Sequence, residues 1–328
     1  MEEVRDDGVL TLAIAGDTML GRRVARAIGQ SSRPPIADEV VEVAARQDLF
    51  VLNLECCISS RGARHPDPRK PFFFRAPPVA AELLAEVGVD CVTLANNHAL
   101  DYGPDALLDT FEHLAAAGVA WGGAGPDVAA ARAPVTLASA GMRLAVVAAA
   151  DHPADYAATP DRCGIAYADL RDDARGGWLA GAVSAARADH DLVLVAPHWG
   201  PNMTVRPQDH IRRAAQALLT AGATLVAGHS AHVVHGAGRR VLYDLGDFVD
   251  DYAVDPVLRN DLGLLFLVEL DPDGPRRIEA VPLKLEYCWT RLATGEDASW
   301  IRRRFIGACA ELGTSAVERD ERVVVLTR

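Results

Sequence analysis

Five short polar clusters could carry chemistry in this sequence, because each one directly follows a run of apolar residues. Their carboxylates, amides and imidazoles are oxygen and nitrogen ligands that suit divalent transition metals. One or two such ions in a polar cleft usually indicate hydrolysis, since a bound metal activates water. The clusters are Gly16-Asp17, Asn53-Leu54-Glu55, Asn96-Asn97-His98, His198-Trp199-Gly200 and Gly228-His229-Ser230-Ala231-His232.

The apolar runs that precede the clusters are typical of buried strands in a parallel sheet, which is covered on both faces. In open α/β sheets, ligands bind outside the carboxyl ends of the strands, which is where the clusters fall. Helical stretches alternate with these strands over the first two-thirds of the chain, so we expect an α/β fold with a mostly parallel or mixed sheet. The predicted strands are Leu10 to Ala15, Leu49 to Leu52, Cys91 to Ala95, Leu192 to Ala196 and Ala223 to Ala227.

The last third of the chain has a different pattern, with closely spaced strand-like segments. Asp271 to Gly274 is a strong hairpin turn between two of them. We therefore expect a second, antiparallel sheet here, followed by a terminal helix and a short last strand. The strand-like segments are Val233 to Val234, Arg240 to Leu245, Leu264 to Leu270 and Ile278 to Glu286, and the terminal pieces are Asp297 to Leu312 and Val323 to Leu326. We divide the chain into a main domain, 1–290, and a segment, 291–328, that packs on the same domain.

Composition limits the function. Half of the 328 residues are apolar, and the net charge of -12 argues against nucleic-acid binding. A small anionic substrate remains compatible, because bound metals reverse the local charge. We find no apolar run of roughly 18 residues and no signal-peptide features in Met1 to Gly8, so we predict no membrane span. Six cysteines without CxxC spacing favour buried thiols and a cytoplasmic location.

The carboxylates and amides each have a structural alternative. Asp17 fits a metal ligand or a helix N-cap, although Thr18 is an equally good cap. Asn53 and Glu55 share one face at the end of a strand. They are either site residues, with Glu55 as a bridge between two metals, or a pair of polar residues on the surface. An Asn-rich turn explains Asn96 and Asn97 but not His98 or the Asp101 that follows.

The histidines are weighed in the same way. His198 alone fits a satisfied buried imidazole, and its neighbour Trp199 fits a pocket wall. His229 and His232 can converge on a metal from a tight loop, with His235 following. We treat the remaining histidines as background, His152 less firmly because Asp151-His152 also ends an apolar run. These background residues are His65, His113, His152, His190 and His210.

With these residues in view, the chain resembles the bacterial CapA family of poly-gamma-glutamate capsule biosynthesis proteins, which are similar to calcineurin-like metallophosphoesterases. The most specific segment is Leu94 to Gly103, which contains Asn96-Asn97-His98. The other resembling segments are Ala15 to Gly21, Asn53 to Glu55, Phe74 to Pro77, Gly123 to Gly125, His198 to Gly200, Gly228-His229 with His232, and Leu245 to Phe248.

The resemblance implies a four-layer α-β-β-α fold of two packed mixed sheets flanked by helices, with a metal centre at the strand ends. It implies one metal on Asn97, His198 and His229, and another on Asp17 and His232, with Glu55 as the bridge. It makes His98 the general acid, oriented by Asp101. Substrate contacts would come from Asn53, Arg75, Asn96, Trp199 and His235.

This sequence departs from the family pattern at several positions. Met19 stands where metallophosphoesterases usually have a histidine, and a thioether is a poor ligand for a hard ion. Ser230 replaces another common histidine, and the last two histidines are three residues apart instead of two. Asn202 and Met203 replace Glu and an aromatic residue, and Asp247 replaces Asn. The family is usually membrane-anchored, and this sequence shows no anchor. Together these departures lead us to expect a soluble relative that acts on a different, smaller substrate, with one metal site that is a ligand short.

Three functions follow from these residues. The first is a metal-dependent hydrolase that cleaves a small phosphoester, with one or two ions of Mn, Zn, Fe or Co and with proton donation by His98. The second acts on a glutamyl or peptide-like amide bond; because we find no P-loop, a stand-alone ATP-driven ligase is not expected. The third is an accessory protein of polyglutamate or capsule-like biosynthesis with a partial metal site. Oligomeric state is left open.

Overall fold

The computed structural model describes residues 8–31, 33–171 and 173–327. Met1 to Asp7, most of the segment that was examined for a signal peptide, lies outside the described residues. The strands are β1 (Leu10–Thr18), β2 (Leu49–Leu54), β3 (Cys57–Ile58), β4 (Arg75–Ala76), β5 (Cys91–Thr93), β6 (Ala120–Gly122), β7 (Ala124–Gly125), β8 (Val135–Ser139), β9 (Met142–Ala150), β10 (Gly164–Ile165), β11 (Leu192–His198), β12 (Leu225–Ala227), β13 (Val241–Leu242), β14 (Asp247–Val249), β15 (Leu262–Asp271), β16 (Gly274–Glu286), β17 (Trp289–Leu292), β18 (Ala316–Arg319) and β19 (Arg322–Val325). The helices are α1 (Arg22–Ser31), α2 (Asp38–Ala44), α3 (Val79–Glu86), α4 (Gly103–Ala117), α5 (Val128–Arg132), α6 (Asp173–Asp189), α7 (Asp209–Thr220) and α8 (Gly295–Glu311).

Two main sheets form the centre of the molecule, and we call them the first and the second sheet. The first has the order β18-β19-β16-β15-β1-β2-β5-β6, with β14 also pairing with β1 and β17 with β16. The second has the order β13-β12-β11-β9-β8. Strands β1, β2, β5 and β6 run parallel to one another, as do β9, β11, β12 and β13.

Successive residues of a strand face opposite sides of the sheet. In β1 and β11, one side faces the other sheet and the opposite side faces the covering helices. Leu12 and Ile14 of β1 pack in one apolar cluster with Leu194 of β11, between the two sheets. Ala13 of β1 faces the helices that cover the first sheet, and Val193 of β11 faces α6 and α7 on the second. The predicted four-layer α-β-β-α arrangement is therefore confirmed.

The late antiparallel strands differ from the expectation of a separate sheet. Strands β15 and β16 form the predicted hairpin, in which Asp271 Oδ1 accepts hydrogen bonds from the amides of Asp273 and Gly274 at 2.8 and 3.1 Å. This hairpin extends the first sheet, because β15 pairs antiparallel with β1. The second sheet is built mostly of parallel strands instead, and Val233 to Val234 lies in a loop.

The carboxyl-terminal segment packs on the first sheet. Helix α8 buries Ile301, Phe305 and Cys309 in the apolar cluster between the sheets, and β18 and β19 extend the first sheet beyond β16. The division at residue 290 stays a prediction. All six cysteines are free, and five of them are buried. Among the residues that the structure describes, no helix is both long enough and apolar enough to cross a membrane.

Strand β1 changes its pairing partner near its carboxyl end, where the polar clusters meet. Strand β15 pairs with β1 up to Ile14, and β14 pairs with it in parallel from Asp17, opposite Asp247. Gly16 lies between the two regions, and a Cβ there would lie 1.8 Å from the carbonyl oxygen of Gly246. Only glycine therefore allows β14 to approach β1 this closely.

Candidate metal centre

Asp17 is fully buried at the end of β1 and is held by a network of amides. Asn53 Nδ2 donates to Asp17 Oδ1 at 2.8 Å. Asn53 Oδ1 in turn accepts from Thr93 Oγ1 and from Asn96 Nδ2, both at 3.1 Å. The amides of Asn53 and Asn96, which were predicted to contact substrate, therefore brace the strand ends and fix the direction of the Asp17 carboxylate.

A tight loop after β12 brings two histidines to the same carboxylate. His229 Nδ1 lies 3.2 Å from Asp17 Oδ1, and His232 Nδ1 lies 3.2 Å from Asp17 Oδ2. The backbone has positive φ at Ser230 (110°) and at His232 (59°), and the Ser230 amide donates to Asp17 Oδ2 at 3.2 Å. This loop geometry explains how histidines three residues apart converge on one point.

Glu55 lies between the clusters of the two sheets. Its Oε1 is 3.8 Å from Nε2 of His198 and 3.8 Å from Nε2 of His98, too far for a hydrogen bond in either case. Ligand atoms of Asp17, Glu55 and His232 all lie within 4.8 Å of one another. Glu55 is thus near both groups of predicted ligands, as a bridging carboxylate requires.

Several buried polar atoms of the cluster have no hydrogen-bond partner, although native proteins pair nearly all such atoms. A bound cation would satisfy carboxylate and amide oxygens and neutral imidazole nitrogens together, so the residues fit a divalent metal. The unpaired atoms are Glu55 Oε1 and Oε2, Asn97 Oδ1, His198 Nδ1 and Nε2, His229 Nδ1 and Asp247 Oδ2. His229 Nδ1 belongs to this group because its approach to Asp17 Oδ1 lacks hydrogen-bond geometry.

The electrostatics of the cluster indicate a shortage of positive charge. Burial raises the pKa of Glu55 and that of Asp247 well above their usual range. Burial alone would lower the pKa of His232, but the charges of Asp247 and Glu55 outweigh it and raise this pKa strongly. The raised pKa favours a protonated His232 when no metal is bound, and this proton supplies positive charge that a metal would otherwise supply. Burial lowers the pKa of His198, which keeps that imidazole neutral, as metal ligation requires.

Asp17 keeps its charge despite complete burial. Burial alone would raise its pKa, but the neighbouring imidazoles of His229 and His232 outweigh that effect and hold the pKa well below the usual range. The cluster thus contains one anionic carboxylate that needs no metal to stay ionised.

His98 and Asp101 form a pair beside the cluster. His98 Nδ1 donates to Asp101 Oδ2 at 2.6 Å, and Lys70 Nζ lies 2.9 Å from Asp101 Oδ1. The amide of Phe74 also donates to Asp101 Oδ2 at 2.6 Å, and the Phe74 ring contacts the His98 ring edge-on at 4.5 Å. This bonding leaves His98 Nε2 on the Glu55 side, as the predicted general-acid role needs.

Three predicted substrate contacts are engaged elsewhere. Arg75 donates to the Arg61 carbonyl at 2.7 Å, and its guanidinium lies 4.1 Å from the centre of the Tyr102 ring. The Trp199 indole donates to the Tyr243 carbonyl at 2.9 Å and packs in the core beneath α7. His235 Nε2 donates to the Thr204 carbonyl at 2.8 Å. Contacts with the cluster by these side chains stay predictions.

The structure also places residues at the site that sequence reasoning missed. Arg22 lies 5.1 Å from the ring centre of Phe72 and 5.9 Å from that of Tyr252, and Tyr252 lies 5.5 Å from the His232 ring. The resembling segment ends at Gly21, one residue before Arg22, and Phe72 lies two residues before the segment that begins at Phe74. Lys70 lies outside the resembling segments, and Asp247 was noted only as a departure from the family pattern.

A second Asp–His pair lies on the other side of His198. His152 Nδ1 and Asp151 Oδ1 are 2.5 Å apart, and Asp151 Oδ2 accepts from the Gly200 amide at 3.2 Å. The His152 ring lies 5.4 Å from that of His198. The apolar run before Asp151 was the available signal for this pair.

The fold and the cluster together define an α/β protein with a candidate metal centre at its strand ends. The chain belongs to the bacterial capsule synthesis protein family PGA_cap, whose model matches residues 11–252. This membership confirms the resemblance to CapA proteins.

Named relatives cover most of the chain. A Mycobacterium tuberculosis (strain H37Rv) protein named "Probable polyglutamine synthesis accessory protein" is 29% identical over 369 aligned positions, which cover 96% of this chain and 95% of the relative. The Bacillus subtilis (strain 168) "PGA biosynthesis protein CapA" is 26% identical, covering 85% of this chain and 72% of the relative. A solved Staphylococcus aureus structure, provisionally described as a 5'-nucleotidase in complex with alpha-ketoglutarate, is 12% identical with a TM-score of 0.47, and the match covers 90% of this chain and 58% of that one.

Proposed function

We propose that this protein is a metal-dependent hydrolase that cleaves a phosphoester bond in a small anionic substrate. One observation supports this most: buried oxygen and nitrogen atoms without partners, from Glu55, His198, His229 and Asp247, lie around Asp17 and His232, close to the aspartate-oriented His98. Buried polar atoms without partners are costly, so such a cluster is expected only where a ligand satisfies them.

The ligands divide into two groups around Glu55. Asn97, His198 and His229 would hold one ion, and Asp17 and His232 the other. When bound, such ions make hydroxide available near neutral pH and stabilise charge on phosphoryl oxygens. The identity of the metal stays open among Mn, Zn, Fe and Co.

His98 supplies the proton in this proposal. With Nδ1 bonded to Asp101, a protonated His98 presents Nε2–H toward the cluster, where a leaving oxygen would take the proton. Burial lowers the pKa of His98, which makes its protonated form a readier donor. Asp101 holds the ring in place and stabilises its positive charge.

Arg22 is the better candidate for holding the anionic part of the substrate. Its side chain is one-third exposed, next to Phe72, which is 41% exposed, and it lies near the aromatic residues that contact His98 and His232. Arg75, the residue predicted from sequence, uses its guanidinium to hold the backbone of its own loop. An arginine over aromatic rings favours an anion with an adjoining apolar or planar part.

The test is release of phosphate from a panel of phosphomonoesters and phosphodiesters by purified, metal-reconstituted protein. We expect metal-dependent turnover that His98→Ala lowers by about 10²- to 10⁴-fold. His113→Ala, on the outer helix α4, is the matched control and should retain full activity. No release across the panel, or equal activity in His98→Ala, contradicts the proposal.

A second candidate is an activity on a glutamyl or peptide-like amide bond, or an accessory role in polyglutamate or capsule-like biosynthesis. The names of the relatives and the family membership favour it. Mass spectrometry of products from phosphoester and glutamyl-peptide substrates separates the two hydrolytic reactions. Protein that retains no Mn or Zn after reconstitution favours the accessory role. For all of these functions, the free cysteines are consistent with the cytoplasmic location predicted from sequence.

A further inference from the structure

We propose that Asp247 is a ligand of the metal held by Asp17 and His232, and that it completes this ion's site in place of a ligand at position 19. The inference rests on the metal centre of the proposed function. It concerns a residue that the comparisons do not assign and that the sequence presents only as a departure from a family pattern.

Met19 does not serve this site. Its side chain is 1% exposed and packs in the apolar cluster under the helices of the first sheet, together with Leu20 and Phe74. A thioether is also a poor ligand for a hard divalent ion. The backbone of Met19 has a different role, because its amide donates to the Val249 carbonyl at 2.8 Å and so ties β14 to β1.

The pairing of β14 with β1 places Asp247 where the missing ligand is needed. Asp247 is the direct pairing partner of Asp17. Its Oδ1 lies 2.8 Å from His232 Nδ1, which is itself 3.2 Å from Asp17 Oδ2. Asp17 near the end of β1, Asp247 at the start of β14 and His232 in the loop after β12 therefore form one contiguous group.

The second oxygen of Asp247 favours a ligand over a purely positioning residue. A carboxylate that only orients His232 needs one oxygen, and Oδ1 already fills that role. Asp247 Oδ2 is buried and has no hydrogen-bond partner, in a side chain that is 0% exposed. Two atoms of Glu55 in the same cluster are unpaired as well. A cation bound beside Asp17 and His232 would give Asp247 Oδ2 the partner that it lacks.

The experiment measures metal binding directly. Chelator-treated full-length protein is titrated with Mn²⁺ by calorimetry, and bound Mn is counted by elemental analysis. We expect two sites in the wild type, and in Asp247→Asn a loss of affinity at one of them on the order of 10- to 100-fold or more, the range seen even for outer-shell partners. Asn keeps the shape and an oxygen that can accept from His232, but it removes the anionic oxygen.

Asp251→Asn is the matched control, because Asp251 is an equally buried carboxylate on the same segment and pairs with Arg22 at 3.4 Å. If loss of any buried negative charge weakens the site, both variants will show the same loss, and the inference is wrong. Two sites of unchanged affinity in Asp247→Asn also overturn it. Wild-type protein that takes up no Mn²⁺ overturns the proposed metal centre itself, so the two failures are distinct.

A second measurement separates a metal ligand from a residue that only orients His232, and it also serves if Asp247→Asn fails to fold. Crystals of the wild type are soaked in Mn²⁺, and anomalous scattering locates the ions. A peak within about 2.5 Å of Asp247 Oδ2 supports the inference, since metal–carboxylate distances are about 2.0–2.2 Å. Peaks confined to the Glu55, Asn97, His198 and His229 side, or a peak near Asp17 that Asp247 does not reach, contradict it.

Discussion

The candidate ligands combine charge with nearly complete burial, a combination that proteins usually avoid. Asp17, Glu55 and Asp247 are each at most 2% exposed, and taking carboxylates out of water costs several kcal/mol each unless a partner offsets the cost. Inside this group His232 contacts Asp17 and Asp247, and its raised pKa favours the protonated form that offsets their charge. The site is therefore strained electrostatically, and a cation would relieve that strain.

His235 lets the energetic cost of a buried histidine be measured away from the metal ligands. Burial lowers its pKa to about 4, whereas an unfolded histidine titrates near 6.5. Between about pH 6.5 and pH 4, His235 is therefore protonated in the unfolded chain but not in the folded chain. Stability is lost as the pH falls from about 6.5 to about 4, and it changes no further below that range.

The variant His235→Gln can still donate to the Thr204 carbonyl but cannot titrate. We expect the wild type to lose about 2 kcal/mol more unfolding free energy than this variant between pH 7 and pH 4.5. Urea unfolding at the two pH values measures the difference. Equal losses in the two proteins would show that His235 is not buried as described.

The sequence predicts the chemical types of the ligands, because carboxylates, amides and imidazoles directly follow buried strands. It does not predict which polar atoms remain unpaired. Asn53 and Asn97 look alike in the sequence, yet the Asn53 amide bonds to Asp17 while Asn97 Oδ1 has no partner. That difference depends on neighbours such as Thr93, forty residues away along the chain.

Strand β14 has only three residues, yet it pairs with the carboxyl end of β1, where the candidate site lies. It carries Asp247 next to Asp17, and it is tied to β1 by the amides of Asp17 and Met19, which donate to the carbonyls of Gly246 and Val249 at 2.9 and 2.8 Å. The close approach of the two strands depends on Gly16.

We predict that Gly16→Ala severely destabilises the protein, by about 3 kcal/mol or more, because its Cβ would overlap the Gly246 carbonyl oxygen. Gly29→Ala is the matched control. Nothing lies within 4 Å of a Cβ at Gly29, which is inside α1, so this change should stabilise by roughly 0.5–1 kcal/mol. Thermal unfolding measures both. A Gly16→Ala protein as stable as the wild type would contradict the described contact.

Local patterns predict the elements better than they predict sheet membership. The hairpin at Asp271 to Gly274 follows from its turn residues, and β15 and β16 form as expected. The sheet to which the hairpin belongs is decided by the pairing of β15 with β1, more than 240 residues apart in the chain. Alternation of apolar residues does not encode that partner, so the hairpin was wrongly assigned to a second sheet.

The whole molecule is acidic, with a net charge of -12, and part of this charge is concentrated at the site. Burial raises the pKa of several carboxyl groups around His232 when no cation is present, which makes their ionised forms costly. The buried acidic residues around His232 and Arg22 are Asp17, Glu55, Asp244, Asp247, Asp250 and Asp251. Folding stability and metal binding should therefore be coupled.

We expect Mn²⁺ to raise the melting temperature and a chelator to lower it. Free ion at 100 times its dissociation constant should add about 2.7 kcal/mol of unfolding free energy for each site. Differential scanning calorimetry at several Mn²⁺ concentrations measures the shift, with Mg²⁺-free buffer and matched ionic strength as controls. A melting temperature that is independent of Mn²⁺ would argue against binding to the folded state.

The origin of the ligands gives the site a mechanical property. The proposed acidic ligands Asp17, Glu55 and Asp247 belong to the first sheet or its loops, whereas the proposed ligands His198, His229 and His232 belong to the second sheet or its loops. A cation bound by both groups would cross-link the two sheets at one end. The metal affinity would then depend on the relative position of the two sheets. A cavity created in the core between them, for instance by truncating Leu194, would lower the metal affinity without changing any ligand.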